Sequence, residues 1–217
     1  MTIFTGNDTV YAKGGNDFIN GSYGADYIDG GAGYDIVSYD FYDDGINANL
    51  TTGIVRFPGN STQIDTLVSI ERLTGSRGND KLYGNSEAND LYGHQGNDIL
   101  YGGSGDDILE GGSGNDYLNG YGGSSDIDVL YGGPSYDIFA LGDSKGSYYQ
   151  GSGHAIIADF QPGYDKIELH GSSESYKAEY GYWIGTSAAD TQILYNGNVI
   201  GYVVDIPQLQ ARDISWV

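Results

Sequence analysis

The sequence predicts an all-β protein, a right-handed parallel β-roll with a C-terminal antiparallel β cap. Three observations lead to this prediction. A nine-residue motif recurs through much of the chain, and an acidic residue recurs at one fixed place in that motif. Glycine, at 37 of 217 residues, is about twice as frequent as usual. These glycines are periodic, which favours regular turns over disorder.

The motif reads Gly-Gly-x-Gly-x-Asp-x-aliphatic-x, and residues 102–120, GGSGDDILEGGSGNDYLNG, contain it twice in succession. We number its positions one to nine, so that the acid stands at position six and the aliphatic residue at position eight. Successive repeats are nine residues apart within two blocks, except for one step of twelve residues before Asp128. Position six is filled by Asp8, Asp17, Asp26 and Asp35 in the first block, and by Asp80, Asn89, Asp98, Asp107, Asp116, Asp128 and Asp137 in the second.

Each motif has the composition of a tight turn followed by a short strand. Glycines permit the positive φ and the close backbone approach of a turn over positions one to six. In the strand that follows, alternate side chains face opposite ways, so position eight points inward. Two turns and two strands make one coil of eighteen residues, and stacked coils give two parallel sheets that enclose the position-eight side chains.

The repeated motif resembles the calcium-binding nonapeptide of the RTX, or hemolysin-type, family over residues 3–140, apart from the interruption. The resemblance implies that turns eighteen residues apart hold several Ca²⁺ ions between pairs of carboxylates and backbone carbonyls, since calcium takes about six to eight oxygen ligands. Asn89 would supply an oxygen without a charge. The implied metal-binding residues are the position-six residues given above and the turn glycines Gly30, Gly33, Gly75, Gly78, Gly93, Gly96, Gly102, Gly105, Gly111, Gly114 and Gly132.

An alternative role for each Asp is to cap its turn by bonding its own backbone. This explanation suits a single Asp in a single loop. A ladder of carboxylates stacked about 5 Å apart would repel itself unless cations lay between them. The phased pattern therefore favours bound calcium, and metal binding and folding would then be one event.

The motif and the composition divide the chain into four segments. Residues 1–38 are a first repeat block, 39–74 are degenerate linking coils, 75–140 are a second repeat block, and 141–217 are a C-terminal β cap. The cap contains a hairpin turn, YNGN at residues 195–198, and resembles the closing segment of RTX modules, whose C-terminal region carries a type I secretion signal. In the linking segment the ninefold spacing continues through Ile46, Val55, Ile64 and Leu73.

Charge and motif content exclude several functions. The 30 acidic residues against 9 basic ones give a formal net charge of −21, which excludes a nucleic-acid binder. The chain has no cysteine for disulfides or thiolate metal sites, and no run of 18 apolar residues that would span a membrane. Its three histidines, His94, His154 and His170, lie in no catalytic motif, so we predict that the chain is not an enzyme.

The sequence thus predicts a calcium-binding, non-catalytic module that a type I secretion apparatus exports and that folds outside the cell. The lack of a visible N-terminal signal peptide agrees with this route. One alternative is an accessory module, joined to an upstream domain, of a larger secreted enzyme such as a protease, lipase or alginate epimerase. Another is a cell-surface adhesive or glycan-binding structural protein.

The outward-facing tyrosines at position nine bear on that last alternative. They could form an aromatic face that stacks on a glycan. Cross-strand packing of β-forming residues on a solvated sheet explains the same residues without a ligand, and we favour it. The tyrosines concerned are Tyr83, Tyr92, Tyr101 and Tyr131.

Overall fold

The structure is a computed structural model that describes residues 5–184 and 187–217, and it consists almost entirely of strands. Two short 3₁₀ turns, Ser173–Ser175 and Ala211–Asp213, are the helical segments among the described residues. No helix in these residues is long and apolar enough to cross a membrane. The fold is an all-β parallel roll, as the sequence predicts.

Two large sheets face each other across the core. The first contains β1 (Thr9–Tyr11), β3 (Tyr27–Asp29), β7 (Asn60–Val68), β6 (Ile54–Phe57), β5 (Asn47–Asn49), β9 (Lys81–Tyr83), β11 (Ile99–Tyr101), β13 (Tyr117–Asn119), β15 (Ile138–Ala140), β19 (Lys166–Leu169) and β23 (Ile214–Trp216), in that spatial order. The second contains β2 (Phe18–Asn20), β4 (Ile36–Ser38), β8 (Arg72–Thr74), β10 (Asp90–Gln95), β12 (Ile108–Ser113), β14 (Ile127–Tyr131), β18 (His154–Ile157), β22 (Asn198–Val203), β21 (Asp190–Tyr195) and β20 (Tyr176–Gly181). A separate antiparallel pair is formed by β16 (Gly142–Asp143) and β17 (Gly146–Ser147).

Within each repeat block, every coil lies directly on the one before it. Val10 pairs with Ile28 in the first sheet, and Leu100 pairs with Leu118 in the same sheet further along. Burial of these side chains between the sheets supplies the main favourable free energy of the fold. All position-eight residues of the two blocks are at most 2% exposed: Val10, Ile19, Ile28, Val37, Leu82, Leu91, Leu100, Leu109, Leu118, Leu130 and Phe139.

The linking segment differs from the expected degenerate coils. Strands β5, β6 and β7 pair with one another in antiparallel fashion, so the chain doubles back twice inside the first sheet. Gly53, with φ +68°, and the Pro58-Gly59 turn make these reversals possible. In the second sheet β4 lies directly beside β8, with Val37 opposite Leu73.

The ninefold spacing therefore predicted only part of the core in the linking segment. Val55 and Leu73 are fully buried, and Ile46 is buried too. In the register with the repeat blocks, however, Ala48 pairs with Leu82, so Ala48 and not Ile46 is the position-eight equivalent. Leu67 likewise pairs with Ile28 where Ile64 was expected, and Ile64 is only half-buried. Antiparallel strands of unequal length shift the inward-facing set away from a strict period of nine.

The C-terminal segment is only partly an antiparallel cap. Strands β18 and β19 continue the parallel roll, and β22 and β23 add to their outer sides in parallel register. The antiparallel part is the meander of β20, β21 and β22. The predicted hairpin is confirmed, because Tyr195 pairs with Asn198 and both turn residues, Asn196 and Gly197, have positive φ.

Position two has a positive φ in several of the repeat turns. Gly103 and Gly112 have φ of +106° and +104° there, and His94 has φ +83° at the same place. A side chain with a Cβ disfavours this region, because the Cβ approaches the following carbonyl oxygen. His94 thus sits in a conformation that suits glycine.

We expect His94→Gly to raise the free energy of unfolding by about 1 kcal/mol, because it removes this steric cost. Denaturant unfolding in the presence of calcium measures the change. His94→Ala is the control, since it removes the ring that lies 5.7 Å from the ring of Tyr92 but keeps the Cβ. Equal stability of the two variants would contradict the explanation.

Candidate metal centre

The position-six residues stand in two columns, one at the start of the strands of each sheet. The first column, beside the first sheet, contains Asp8, Asp26, Asp80, Asp98, Asp116 and Asp137. The second column, beside the second sheet, contains Asp17, Asp35, Asn89, Asp107 and Asp128. Asp8 and Asp17 are half-buried, and the other nine residues are at most 4% exposed.

In every stacked pair, the Oδ1 atom of the later Asp accepts a hydrogen bond from the backbone N–H of the position-six residue in the coil before it. The backbone N–H of Asp80 donates to Asp98 Oδ1 at 2.8 Å, and that of Asp98 donates to Asp116 Oδ1 at 2.8 Å. The structure thus brings together every pair of turns suggested by the eighteen-residue spacing and by the step of twelve. The same bond joins Asp8 to Asp26, Asp17 to Asp35, Asn89 to Asp107, Asp107 to Asp128 and Asp116 to Asp137, at 2.8 to 2.9 Å.

This bond modifies the turn-capping alternative. In each stacked pair the later Asp accepts a bond from a backbone N–H of the preceding coil, whereas capping by the residue's own turn is seen at Asp80 and Asn89, which accept from the N–H groups of Ser76 and Asn85. Backbone capping therefore accounts for one oxygen of each carboxylate and ties consecutive coils together.

The other carboxylate oxygen is left without a partner in most turns. Buried polar atoms in proteins are nearly always hydrogen-bonded, so each exception points to a missing ligand or water. Within the described residues, the buried Oδ2 atoms without a hydrogen-bond partner belong to Asp8, Asp17, Asp35, Asp98, Asp107, Asp116 and Asp137. All seven are position-six residues.

The glycines at position one leave the space in which these oxygens lie. A Cβ added at any of them would come closer than 3.0 Å to the Oδ2 of the Asp in the same turn: Gly30, Gly75, Gly93, Gly102, Gly111 and Gly132. The glycines at position four have a different role, because a Cβ there would meet the backbone of the preceding coil: Gly33, Gly78, Gly96, Gly105 and Gly114. The first set makes room for the carboxylate, and the second lets the turns stack closely.

Three columnar carboxylates have chain partners on both oxygens. Ser22 Oγ donates to Asp26 Oδ2 at 2.9 Å, and the backbone N–H of Ser76 donates to Asp80 Oδ2 at 2.6 Å. Both serines replace the glycine at position two of the motif. The third case is Asp128, whose Oδ2 accepts a bond from the hydroxyl of Tyr149 at 2.6 Å.

Three acids outside the repeat blocks extend the columns; the sequence suggests Asp165, with Asp143 and Asp159, as an additional ion ligand near the cap, whereas Asp65 and Glu71 were missed. The backbone N–H of Asp26 donates to Asp65 Oδ1 at 3.0 Å, that of Asp35 to Glu71 Oε2 at 2.7 Å, and that of Asp137 to Asp165 Oδ1 at 3.1 Å. A weaker signal was present in the sequence. Each of these acids is followed two residues later by a buried aliphatic residue, Leu67, Leu73 or Ile167, as at positions six and eight.

Burial raises the pKa of the six position-six carboxyl groups of the second block above their ordinary value of 3.8. The pKa of Asp98 rises to about 8, first through burial and then through the charges of neighbouring carboxylates, with a backbone hydrogen bond opposing the rise. Burial likewise raises the pKa of Asp107 to about 8 and that of Asp137 to about 7. For Asp80, Asp116 and Asp128 burial raises the pKa to about 6.

The donor atoms fit a hard divalent cation such as calcium. They are all oxygens, and thiolates are absent because the chain has no cysteine. Within the described part of the chain, no three His, Asp or Glu side chains converge closely enough to form a metal cluster on their own. Each ion would therefore need main-chain carbonyl oxygens in addition to the unpartnered Oδ2 atoms.

The raised pKa values predict an unusual pH dependence for the metal-free protein. An acid whose pKa is higher in the folded state stabilises that state below its unfolded pKa, and the contribution is lost as the pH rises through the folded pKa. In EGTA we therefore expect the folded fraction to grow as the pH falls from about 8 to about 5, as measured by far-UV circular dichroism.

Calcium provides the control for this experiment. With calcium bound the carboxylates stay ionised, so the folded fraction should be flat over the same pH range. A folded fraction in EGTA that stays constant or falls with decreasing pH would contradict the expectation.

The space that the position-one glycines leave beside each Asp Oδ2, which we call the glycine cradle, gives a second prediction. Gly102→Ala should sharply weaken calcium-dependent folding, because the new Cβ would displace Asp107 Oδ2. Gly14→Ala is the matched control, since a Cβ there would make only an ordinary contact, 3.6 Å from the carbonyl oxygen of Ala32. Calcium titration followed by circular dichroism compares the midpoints; equal midpoints for the two variants would refute a role for the cradle.

Comparison with known proteins agrees with this geometry. The model of the RTX calcium-binding nonapeptide repeat matches the chain in four copies, at residues 3–37, 69–100, 92–127 and 101–139. No curated protein sequence matches the chain. The two blocks of buried carboxylates coincide with the matched residues.

Two solved structures are similar in part. The extracellular lipase LipA from Serratia marcescens is 13% identical with a TM-score of 0.41, over 100% of this chain and 40% of the lipase chain. The AlgE6R3 subunit from the Azotobacter vinelandii mannuronan C5-epimerase is 23% identical with a TM-score of 0.26, over 64% of this chain and 78% of that subunit. The chain thus spans less than half the length of the lipase. Through its two repeat blocks, the chain belongs to the RTX calcium-binding nonapeptide repeat family.

Proposed function

We propose that this chain is the calcium-folded, non-catalytic module of a protein exported by type I secretion. The observation that carries the proposal is the set of seven buried Asp oxygens without a partner, all at position six of the repeat. In a soluble protein a buried, ionised carboxylate needs a compensating positive charge. Lysine and arginine total only nine, against 30 acidic residues.

The residues proposed to hold the ions lie on facing turns. In the second block the pairs are Asp80 with Asp98, Asp98 with Asp116, Asp116 with Asp137, Asn89 with Asp107, and Asp107 with Asp128. In the first block they are Asp8 with Asp26, and Asp17 with Asp35. Calcium bound there would supply the positive charge that lets these carboxylates stay ionised while buried.

The chain itself does three things in this mechanism. Its position-one glycines keep space beside Oδ2, as at Gly102, and its backbone N–H groups orient Oδ1. Its position-eight residues, such as Leu109, are buried only when neighbouring coils are present. Without a counter-charge, the repulsion between stacked carboxylates opposes the burial of those aliphatic side chains, so folding and metal binding depend on each other.

This coupling suits a secreted protein. Extracellular calcium modules have dissociation constants of about 10⁻⁴–10⁻³ M, so their sites fill outside the cell and stay largely empty at cytosolic calcium levels. The unfilled chain, with a net charge of −21, would remain loose enough for export. The type I secretion apparatus is accordingly the proposed export partner, and the extracellular space the proposed location.

The surroundings of the three histidines support a non-catalytic role. His170 Nδ1 is 2.6 Å from the carbonyl oxygen of Asp143. The ring of His154 packs against Tyr202 at 5.0 Å, and burial lowers the pKa of His154. His94 lies in a repeat turn beside Tyr92. Each ring is accounted for by local packing.

The two alternatives from the sequence remain open as predictions. They are an accessory module of a larger secreted enzyme and a cell-surface adhesive or glycan-binding protein. Tyr83 and Tyr101 stack at 5.1 Å with ring planes 4° apart, and they pair directly across adjacent strands. Cross-strand packing therefore accounts for their arrangement without a glycan.

The central test is calcium-dependent folding. Far-UV circular dichroism should show a largely unfolded chain in EGTA at neutral pH and a β-sheet spectrum after calcium is added. Identical spectra under the two conditions would remove the basis of the proposal.

A pair of single substitutions tests whether the calcium dependence comes from the columns of acids. Asp98→Asn removes one charge from two adjacent pairs and should raise the calcium midpoint of folding by about 10-fold. Asp40→Asn removes the same charge from an exposed residue outside the columns and should leave the midpoint nearly unchanged. If both variants shift the midpoint equally, net charge and not the column is responsible.

A further inference from the structure

Two tyrosine hydroxyls bind carboxylate oxygens that are equivalent to the seven Oδ2 atoms without a hydrogen-bond partner. Tyr149 donates to Asp128 Oδ2 at 2.6 Å, and Tyr39 donates to Asp65 Oδ2 at 2.9 Å. All four residues are fully buried, at 0% exposure. Elsewhere in the columns the Oδ2 partners of chain origin are Ser22 Oγ and backbone N–H groups.

Both carboxylates stand at the end of a run of stacked acids. Asp65 follows Asp8 and Asp26 in the first column, and the next strand beyond it, β6, runs antiparallel and continues the sheet without a stacked acid. Asp128 follows Asn89 and Asp107 in the second column, and the residue paired with it in the next coil is Ala155. Within the described residues, the strand paired next to Asp65 and the strand paired next to Asp128 place Val55 and Ala155, and not an acid, opposite them.

The ring of Tyr39 also fills the space beside a position-one glycine. Gly21 is a position-one glycine. At the other position-one glycines a Cβ would meet the Oδ2 of an Asp, except at Gly84, where it would meet Gly102 O and Asn89 Oδ1. At Gly21 a Cβ would instead strike the ring of Tyr39. Tyr149 packs its ring edge-on against Tyr121 at 5.4 Å and adopts a left-handed φ of +52°, which directs its side chain into the core.

A phenol can replace one function of a cation at such a place. Its O–H makes a charge-assisted hydrogen bond to an ionised oxygen, which compensates for part of the loss of solvation. Because both tyrosines are fully buried, their rings also keep solvent away from the carboxylates that they bind. A hydroxyl bond of this kind does not depend on the calcium concentration.

We propose that Tyr39 and Tyr149 take the place of a cation at Asp65 and Asp128, so that the run of acids ending at Asp65 and the run ending at Asp128 both finish at a phenol. This inference rests on the proposed calcium binding of the columns and specifies where that binding stops. The two tyrosines are positioning residues, and they close the ends of the runs without metal.

The test counts ions on the calcium-saturated protein by native mass spectrometry and measures its melting temperature. Tyr149→Ser removes the ring and opens the space beside Asp128, and we expect it to bind one more calcium ion than the wild type. Tyr149→Phe removes only the hydroxyl, so the ion count should stay the same while the melting temperature falls by about 5 °C.

The neighbouring residue supplies matched controls. Tyr148 stacks on Tyr121 at 4.7 Å, and its hydroxyl meets Asn119 Nδ2 at 3.3 Å, away from both columns. Tyr148→Ser should leave the ion count unchanged, and Tyr148→Phe should lower the melting temperature by less than Tyr149→Phe does.

The outcomes separate the inference from the proposed function. A folded Tyr149→Ser protein with the wild-type ion count would overturn the inference, even though the wild type binds calcium. A melting temperature of Tyr149→Phe no lower than that of Tyr148→Phe would also overturn it, and this arm decides the matter if Tyr149→Ser does not fold. A wild type that binds no calcium would overturn the proposed function and the inference together.

Discussion

The whole structure depends on how the electrostatic repulsion between buried carboxylates is compensated at the spacing of stacked strands. Adjacent rungs lie about 5 Å apart, and at that distance two unit charges in a poorly solvated environment repel strongly. The repeat cannot avoid this spacing, because the same stacking buries its aliphatic residues. Hydrogen bonds from the preceding coil, such as that from Asp98 to Asp116, satisfy half of each carboxylate. The remaining oxygen requires a cation, a proton or a donor from the chain, and Ser22 and Tyr149 are two such donors.

Local chemistry made the repeat blocks predictable. A glycine-rich turn and a three-residue strand fix which side chain points inward, so Leu91 and Leu109 could be assigned to the core from the sequence alone. The linking segment followed a different rule. Residues such as Ile64 keep the ninefold spacing, but strand direction is set by reversals at Gly53 and Pro58-Gly59, and the spacing of aliphatic residues does not encode direction. The cap was predictable as strands, whereas the parallel docking of β22 on β18 depends on contacts between distant segments.

The same distinction applies to the candidate site. Acids within the motif, such as Asp107, were evident because one turn contains both the acid and its glycines. Asp65 and Asp165 lie in segments without the glycine signature, and they join the columns only because those segments stack on a repeat turn. The hydrogen-bond donors to Asp26 and Asp128 also differ in their distance along the sequence. Ser22 lies four residues from Asp26, whereas Tyr149 lies twenty-one residues from Asp128. Contacts of the second kind require the fold to be known.

The antiparallel strands of the linking segment interrupt the column of acids beside the first sheet, but not the column beside the second sheet. Between Asp65 and Asp80 the first sheet inserts β6 and β5, so three strand spacings, about 14 Å, separate the two runs of acids there. This exceeds the screening length of about 10 Å at moderate salt. On the opposite edge Glu71 and Asn89 immediately precede the adjoining strands β8 and β10, so the coils are continuous there. Strands β5 and β6 thus separate the two runs of acids in the first column. Electrostatic interaction between the two repeat blocks should therefore act mainly through the second column.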